Sequence, residues 1–120
     1  MADGPFWNNG PDGVGTLRYI PAMDREEVIS TLKDREAALR ARGVAHAALF
    51  GSVARGDQRA DSDIDILVEI EPDARIDLFA YLDIVHFIED LFTAWVDVAN
   101  RRQLKPFVRP GAERDAIYAF

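Results

Sequence analysis

The 120-residue chain predicts an α/β domain of the α+β two-layer kind, a small mixed sheet covered by helices. Three observations point there. Short apolar runs at 45–50, 63–70 and 94–99 have strand length and are bounded by Gly, Pro or acidic residues. Two longer segments, 24–42 and 77–92, repeat apolar residues at helical spacing. The order is then helix, strand, strand, helix, strand, helix, with no internal repeat and no linker to divide the chain.

Taken in order, residues 1–20 read as an arm ahead of a single domain at 21–120. The first fifteen carry Gly4, Pro5, Gly10, Pro11, Gly13 and Gly15, and offer little to bury besides Phe6 and Trp7. Thr16 to Ile20 could form a short edge strand, ended by Pro21. Asp24 and Glu27 have the spacing of a capping box. Val28, Ile29, Leu32 and Leu39 continue that helix to a glycine stop at Gly43, its charges forming a solvated face. Val53 to Gly56 reads as one helical turn. Asp77 can cap a second long helix, with Leu78, Leu82, Val85, Ile88 and Phe92 inward and Tyr81, Ile84 and Leu91 widening that face. In the strand at 94–99, Trp95, Asp97 and Ala99 share a face. A last helix begins near Pro106, or later because of Pro110 and Gly111, and carries Phe107, Val108, Ile117 and Tyr118.

Composition narrows the function. A net charge of −7 argues against non-specific nucleic-acid binding, which needs clustered positive charge, but leaves room for a nucleotide held through a metal. With no cysteine, disulfides and thiolate zinc sites are excluded. No apolar run approaches the ~20 residues of a membrane helix, and the N-terminus lacks the layout of a secretory signal. A cytoplasmic protein without membrane association is the expectation.

Chemistry concentrates in 49–68. Gly51 and Ser52 follow an apolar strand and offer backbone N–H groups to a phosphate. Asp63 and Asp65 alternate with Ile64 and Ile66, so both carboxylates project from one face of a strand. Their repulsion needs an offset, and Mg2+ suits oxygen ligands. Asp97, on an otherwise apolar run, would complete a three-carboxylate set if its strand lies alongside, as a two-metal site requires. The alternative is that Asp97 caps a loop or pairs with Arg101 or Arg102. Arg55 could reach a phosphate or pair with Asp57 or Asp61.

With Gly51–Ser52, ten intervening residues, Asp63-Ile64-Asp65-Ile66 and a later strand carboxylate, the sequence resembles the polymerase-beta-like nucleotidyltransferase superfamily. The longer match, Gly-Ser-Val-Ala-Arg-Gly-Asp through Asp-Ser-Asp-Ile-Asp-Ile-Leu-Val, looks like the minimal nucleotidyltransferase branch, which includes antitoxins paired with HEPN-domain toxins. The resemblance covers about 24–118 and implies a nucleotidyltransferase-like fold. It implies that Asp63, Asp65 and Asp97 hold Mg2+, two ions in all, and that Asp97 helps deprotonate the acceptor. Gly51 and Ser52 would bind the β and γ phosphates of ATP. The implied reaction is adenylylation of a hydroxyl, a tyrosine of a HEPN toxin partner.

Other residues read as scaffold. Ser62 makes a turn hydrogen bond; Lys105 and Arg59 are surface; His46 and His86 are structural; Glu69 and Glu71 are exposed. Two further functions compete with adenylylation. One is an antitoxin that acts by stoichiometric binding. The other is a small-molecule enzyme of the aminoglycoside type, in which a homo-oligomer completes the pocket.

Overall fold

The computed structural model describes residues 24–57, 59 and 62–120, and the expectations for the arm and for a strand at Thr16–Ile20 lie outside them. The sheet is built from β1 (Val44–Phe50), β2 (Ile64–Ile70), β3 (Val96–Asn100) and β4 (Ile117–Tyr118), in the spatial order β3-β2-β1-β4. β1 runs antiparallel to β2 and β4, while β2 and β3 are parallel. A parallel pair needs a crossover, and α4 (Leu78–Glu89) supplies it. The mixed two-layer α+β fold expected from the sequence is thus what the chain adopts.

Alternation along β2 separates two faces. Ile64, Ile66 and Val68 enter a core with Leu49, Val28, Leu32, Leu39, Ile84 and Ile88, drawn from α1 (Arg25–Asp34), α2 (Glu36–Ala41) and α4. All are essentially inaccessible to water, and removing such side chains from solvent is the main force on the fold. Asp65, Leu67 and Glu69 point the other way, toward α5 (Arg109–Asp115), where Arg101 bonds to Glu113 at 2.7 Å and lies 3.7 Å from Glu69.

Local chemistry sets the ends of elements. The Asp24 carboxylate accepts from Glu27 N at 2.9 Å and Glu27 accepts from Asp24 N at 3.2 Å, the full capping box. Asp77 accepts from Ala80 N at 2.8 Å and opens α4.

The structure departs from the sequence reading in several places. The first long helix is two helices, broken at Arg35, and neither Gly nor Pro marks the break. Its charges are more than a solvated face. Arg42 stacks over Phe87 at 4.1 Å and bonds Asp83 at 3.2 Å, clamping α2 to α4, while Arg40 lies over Phe120. On α4, Ile84 and Ile88, with Phe92 just beyond its end, are buried as expected, whereas Leu78 and Leu82, expected inward, face solvent. Asp83, His86 and Glu89 mark the exposed side, and which of the many apolar residues is buried is chosen by tertiary packing. Ile117 and Tyr118 form β4, not the end of a helix. They pair with Leu49 and Ala48, and the Tyr118 hydroxyl donates to Glu69 at 2.7 Å. Glu69, expected at the surface, is therefore tied into a polar cluster with Arg101 and Tyr118. Among the described residues, no helix is long and apolar enough to cross a membrane.

Candidate active site

At the end of β1 the chain must reverse sharply. Phe50 is extended, and Gly51 then takes φ +78° to open α3 (Gly51–Arg55). A side chain is doubly excluded at Gly51. The backbone is left-handed, and a Cβ there would run into Oδ2 of Asp65 and lie 3.1 Å from its Cγ. The loop backbone therefore rests directly against a carboxylate. α3 ends at Gly56, also left-handed, whose N–H donates to Ser52 O at 3.0 Å. The Arg25 guanidinium donates to Ala54 O at 2.9 Å and ties α1 to the end of this short helix.

The carboxylates come from two parallel strands. Asp65 pairs in register with Asp97, and Ile64 with Val96. Neighbouring strands lie about 4.8 Å apart, so directly opposed residues place their side chains side by side. Asp63 stands one residue ahead of β2 and is exposed, as is Asp97, while Asp65 is half-buried. Burial, then the negative charges of Asp97 and Asp63, push the Asp65 carboxyl up to about 6, against a smaller opposing effect from Arg55.

Asp97 forms no ion pair with Arg101 or Arg102 among the described residues, and Arg101 turns instead to Glu69 and Glu113. Arg55 takes the ion-pair alternative. Its Nη1 lies 2.8 Å from Asp115 and its Nε 3.2 Å from Asp57, and these hydrogen bonds raise its pKa. Asp61, the other partner considered, lies outside the described residues. Asp115 gives no sequence signal, since it approaches Arg55 only because α5 packs beside α3. Ser62 accepts from Arg59 N at 2.7 Å and donates its own N–H to Arg59 O, the turn that launches β2. His46 Nδ1 lies 3.2 Å from Phe120 O, a structural contact, and His86 is exposed on α4. Lys105 and Glu71 are exposed as expected.

Among the described residues, no three of His, Asp and Glu close into a metal-holding group. Asp63 stands just ahead of β2 and still lies near enough for its charge to act on Asp65. The donor chemistry nonetheless fits Mg2+. This ion is commonly held by one or two carboxylates together with substrate phosphates. Asp65 and Asp97 provide two oxygen donors side by side, in register on neighbouring parallel strands.

Comparison with known proteins agrees with this geometry. Residues 26–119 match the nucleotidyltransferase domain family. The protein adenylyltransferase MntA of Thermococcus cleftensis is 33% identical over 94 residues, which span 78% of this chain and 93% of that protein. A solved structure described provisionally as a minimal nucleotidyltransferase superposes with a TM-score of 0.58 at 34% identity, covering 79% of this chain and 95% of its own. The fold is also that found in a complex of the tri-AMPylated Shewanella oneidensis HEPN toxin with its MNT antitoxin. There the TM-score is 0.54 and the identity 17%, over 77% of this chain and 71% of that one.

Proposed function

Because the chain belongs to the nucleotidyltransferase domain family, we propose that it is a Mg2+-dependent protein adenylyltransferase. It moves AMP from ATP onto a hydroxyl, that of a tyrosine on a HEPN-type toxin partner, and acts thereby as a cytoplasmic antitoxin. The observation that carries this reading is the in-register Asp65–Asp97 pair with the Gly51 backbone lying against it. The relatives support the acceptor class: one carries the protein adenylyltransferase name, and another structure holds an AMPylated HEPN toxin.

Each residue has a defined task. Gly51 and Ser52 bind the β and γ phosphates through backbone N–H groups and the serine hydroxyl, and the missing side chain at Gly51 lets phosphate approach Asp65. Asp63, Asp65 and Asp97 would hold Mg2+, which, when bound, would neutralise phosphate charge and favour the attacking oxygen. Asp97 also takes the proton of the acceptor hydroxyl at its carboxylate. The acceptor oxygen bonds to the α-phosphorus as the bond to the departing pyrophosphate breaks. Positioning and charge supply the rate, since the chain makes no covalent bond itself. Arg55, held by Asp115 and Asp57, stands beside the loop and adds positive potential at Asp65.

Incubation with α-labelled ATP, Mg2+ and the product of the neighbouring gene tests the reading. The label should move to the partner and stay on ATP with Asp65→Asn or Asp97→Asn. Equal transfer by the variants, or none by the wild type, overturns it. A triad variant that still protects cells from the toxin would establish stoichiometric binding instead.

A further inference from the structure

Trp95 is 83% exposed, the most exposed of the large apolar side chains among the described residues. An aromatic ring left in water next to a catalytic strand has no role in the core, which is complete without it. Its position is fixed closely. Ile64 N donates to Trp95 O at 2.9 Å, and the next residues along, Val96 and Asp97, pair with Ile64 and Asp65. Trp95 therefore stands two residues from Asp97, about 7 Å along the strand. A ribose spans a comparable gap between its 5′ phosphate and its base. Beside Trp95 lies a cleft of about 320 Å³ walled by Glu89, Thr93, Ala94 and Val96. That volume falls in the range of small-molecule sites.

We propose that Trp95 is the platform on which the nucleobase of the donor nucleotide stacks, with the base edge turned into this cleft. The inference rests on the nucleotidyltransferase reading and adds to it where, and by what chemistry, the base is held. Stacking on an aromatic face tolerates any base, because every base has a π-face. The cleft adds selection. The Glu89 carboxylate only accepts hydrogen bonds, so it favours an edge carrying an exocyclic amino group, such as that of adenine, over the carbonyl-flanked edge of uracil. Thr93, which can donate or accept, suits the ring nitrogen beside that amino group.

The chain has two tryptophans, so Trp7→Phe leaves Trp95 as the single indole reporter. Titrating this variant with a non-hydrolysable ATP analogue and Mg2+ should quench its fluorescence. Calorimetry on Trp95→Ala should show affinity reduced roughly ten-fold, while Trp95→Phe keeps most of it. UTP should bind the wild type more weakly than ATP, and Glu89→Gln should narrow that difference. Trp95 is exposed, so its variants should melt with the wild type, and a thermal scan verifies that they do. Unchanged affinity in Trp95→Ala with no quenching would overturn the base platform while labelled AMP transfer still stood. Unchanged nucleotide affinity with lost transfer to the protein acceptor would also overturn it, and would assign Trp95 to the acceptor. No nucleotide binding by any form would remove the nucleotidyltransferase reading along with it.

Discussion

Asp65→Asn should stop AMP transfer and, unusually for a half-buried position, make the protein more stable at neutral pH. The Asp65 carboxyl titrates near 6, against about 3.8 without the fold. A carboxylate whose folded pKa is raised costs stability once ionised. That cost is full above pH 6, fades as pH falls through the window from about 6 to about 4, and is gone below it. The full shift corresponds to about 3 kcal/mol. Asp65 is only half-buried, and solvent screening reduces the figure to about 1–2 kcal/mol. Asn keeps the shape and removes the charge. In EDTA at pH 7.5, its urea unfolding free energy should exceed the wild-type value by that amount, or about 5–10 °C in midpoint. Repeating the measurement at pH 6, 5 and 4 should bring the two curves together. Mg2+ with ATP should then raise the wild-type midpoint and leave the Asn variant's nearly unchanged, because ligand binding stabilises only the form that binds. A difference that does not change with pH, or an Asn variant less stable than the wild type at pH 7.5, would refute the account of burial and charge crowding at Asp65.

The same geometry fixes other outcomes. Gly51→Ala should lose transfer and about 2–3 kcal/mol of stability in denaturant titration, since it combines a left-handed φ with a collision at Asp65. Gly56→Ala, with the same sign of φ but open space around it, should cost only about 1 kcal/mol and retain transfer. Ile88→Ala, fully buried between α4 and the sheet, should cost about 2–5 kcal/mol in the same measurement. Asp24→Ala removes half of the capping box on α1 and should cost about 1 kcal/mol without affecting the labelled-ATP assay.

Much of the candidate site was legible because it is local. Gly51, Ser52, Asp63 and Asp65 lie within fifteen residues of one another, and period-two alternation alone puts Asp65 on the face opposite Ile64 and Ile66. The capping residues Asp24 and Asp77 were equally plain, since an N-cap acts on its own first turn. Asp97 was identified as a candidate ligand from its apolar surroundings. That it stands opposite Asp65 was decided by the parallel pairing of β3 with β2, a choice made through the α4 crossover. Other features had no local signal at all. The exposure of Leu78 and Leu82 on α4 was settled by packing, since apolar residues outnumber the places its buried side offers, and Ile117 and Tyr118 read as helical until β1 supplied a partner edge. Arg55 meets Asp115 across sixty positions of sequence, and Glu69 is drawn from the expected surface into contact with Tyr118 and Arg101. The sequence by itself determined which groups are candidates for the chemistry, because ligand type and short-range spacing are written in the chain. Only the tertiary structure decided which of them face one another, because strand pairing and helix rotation are settled by long-range packing.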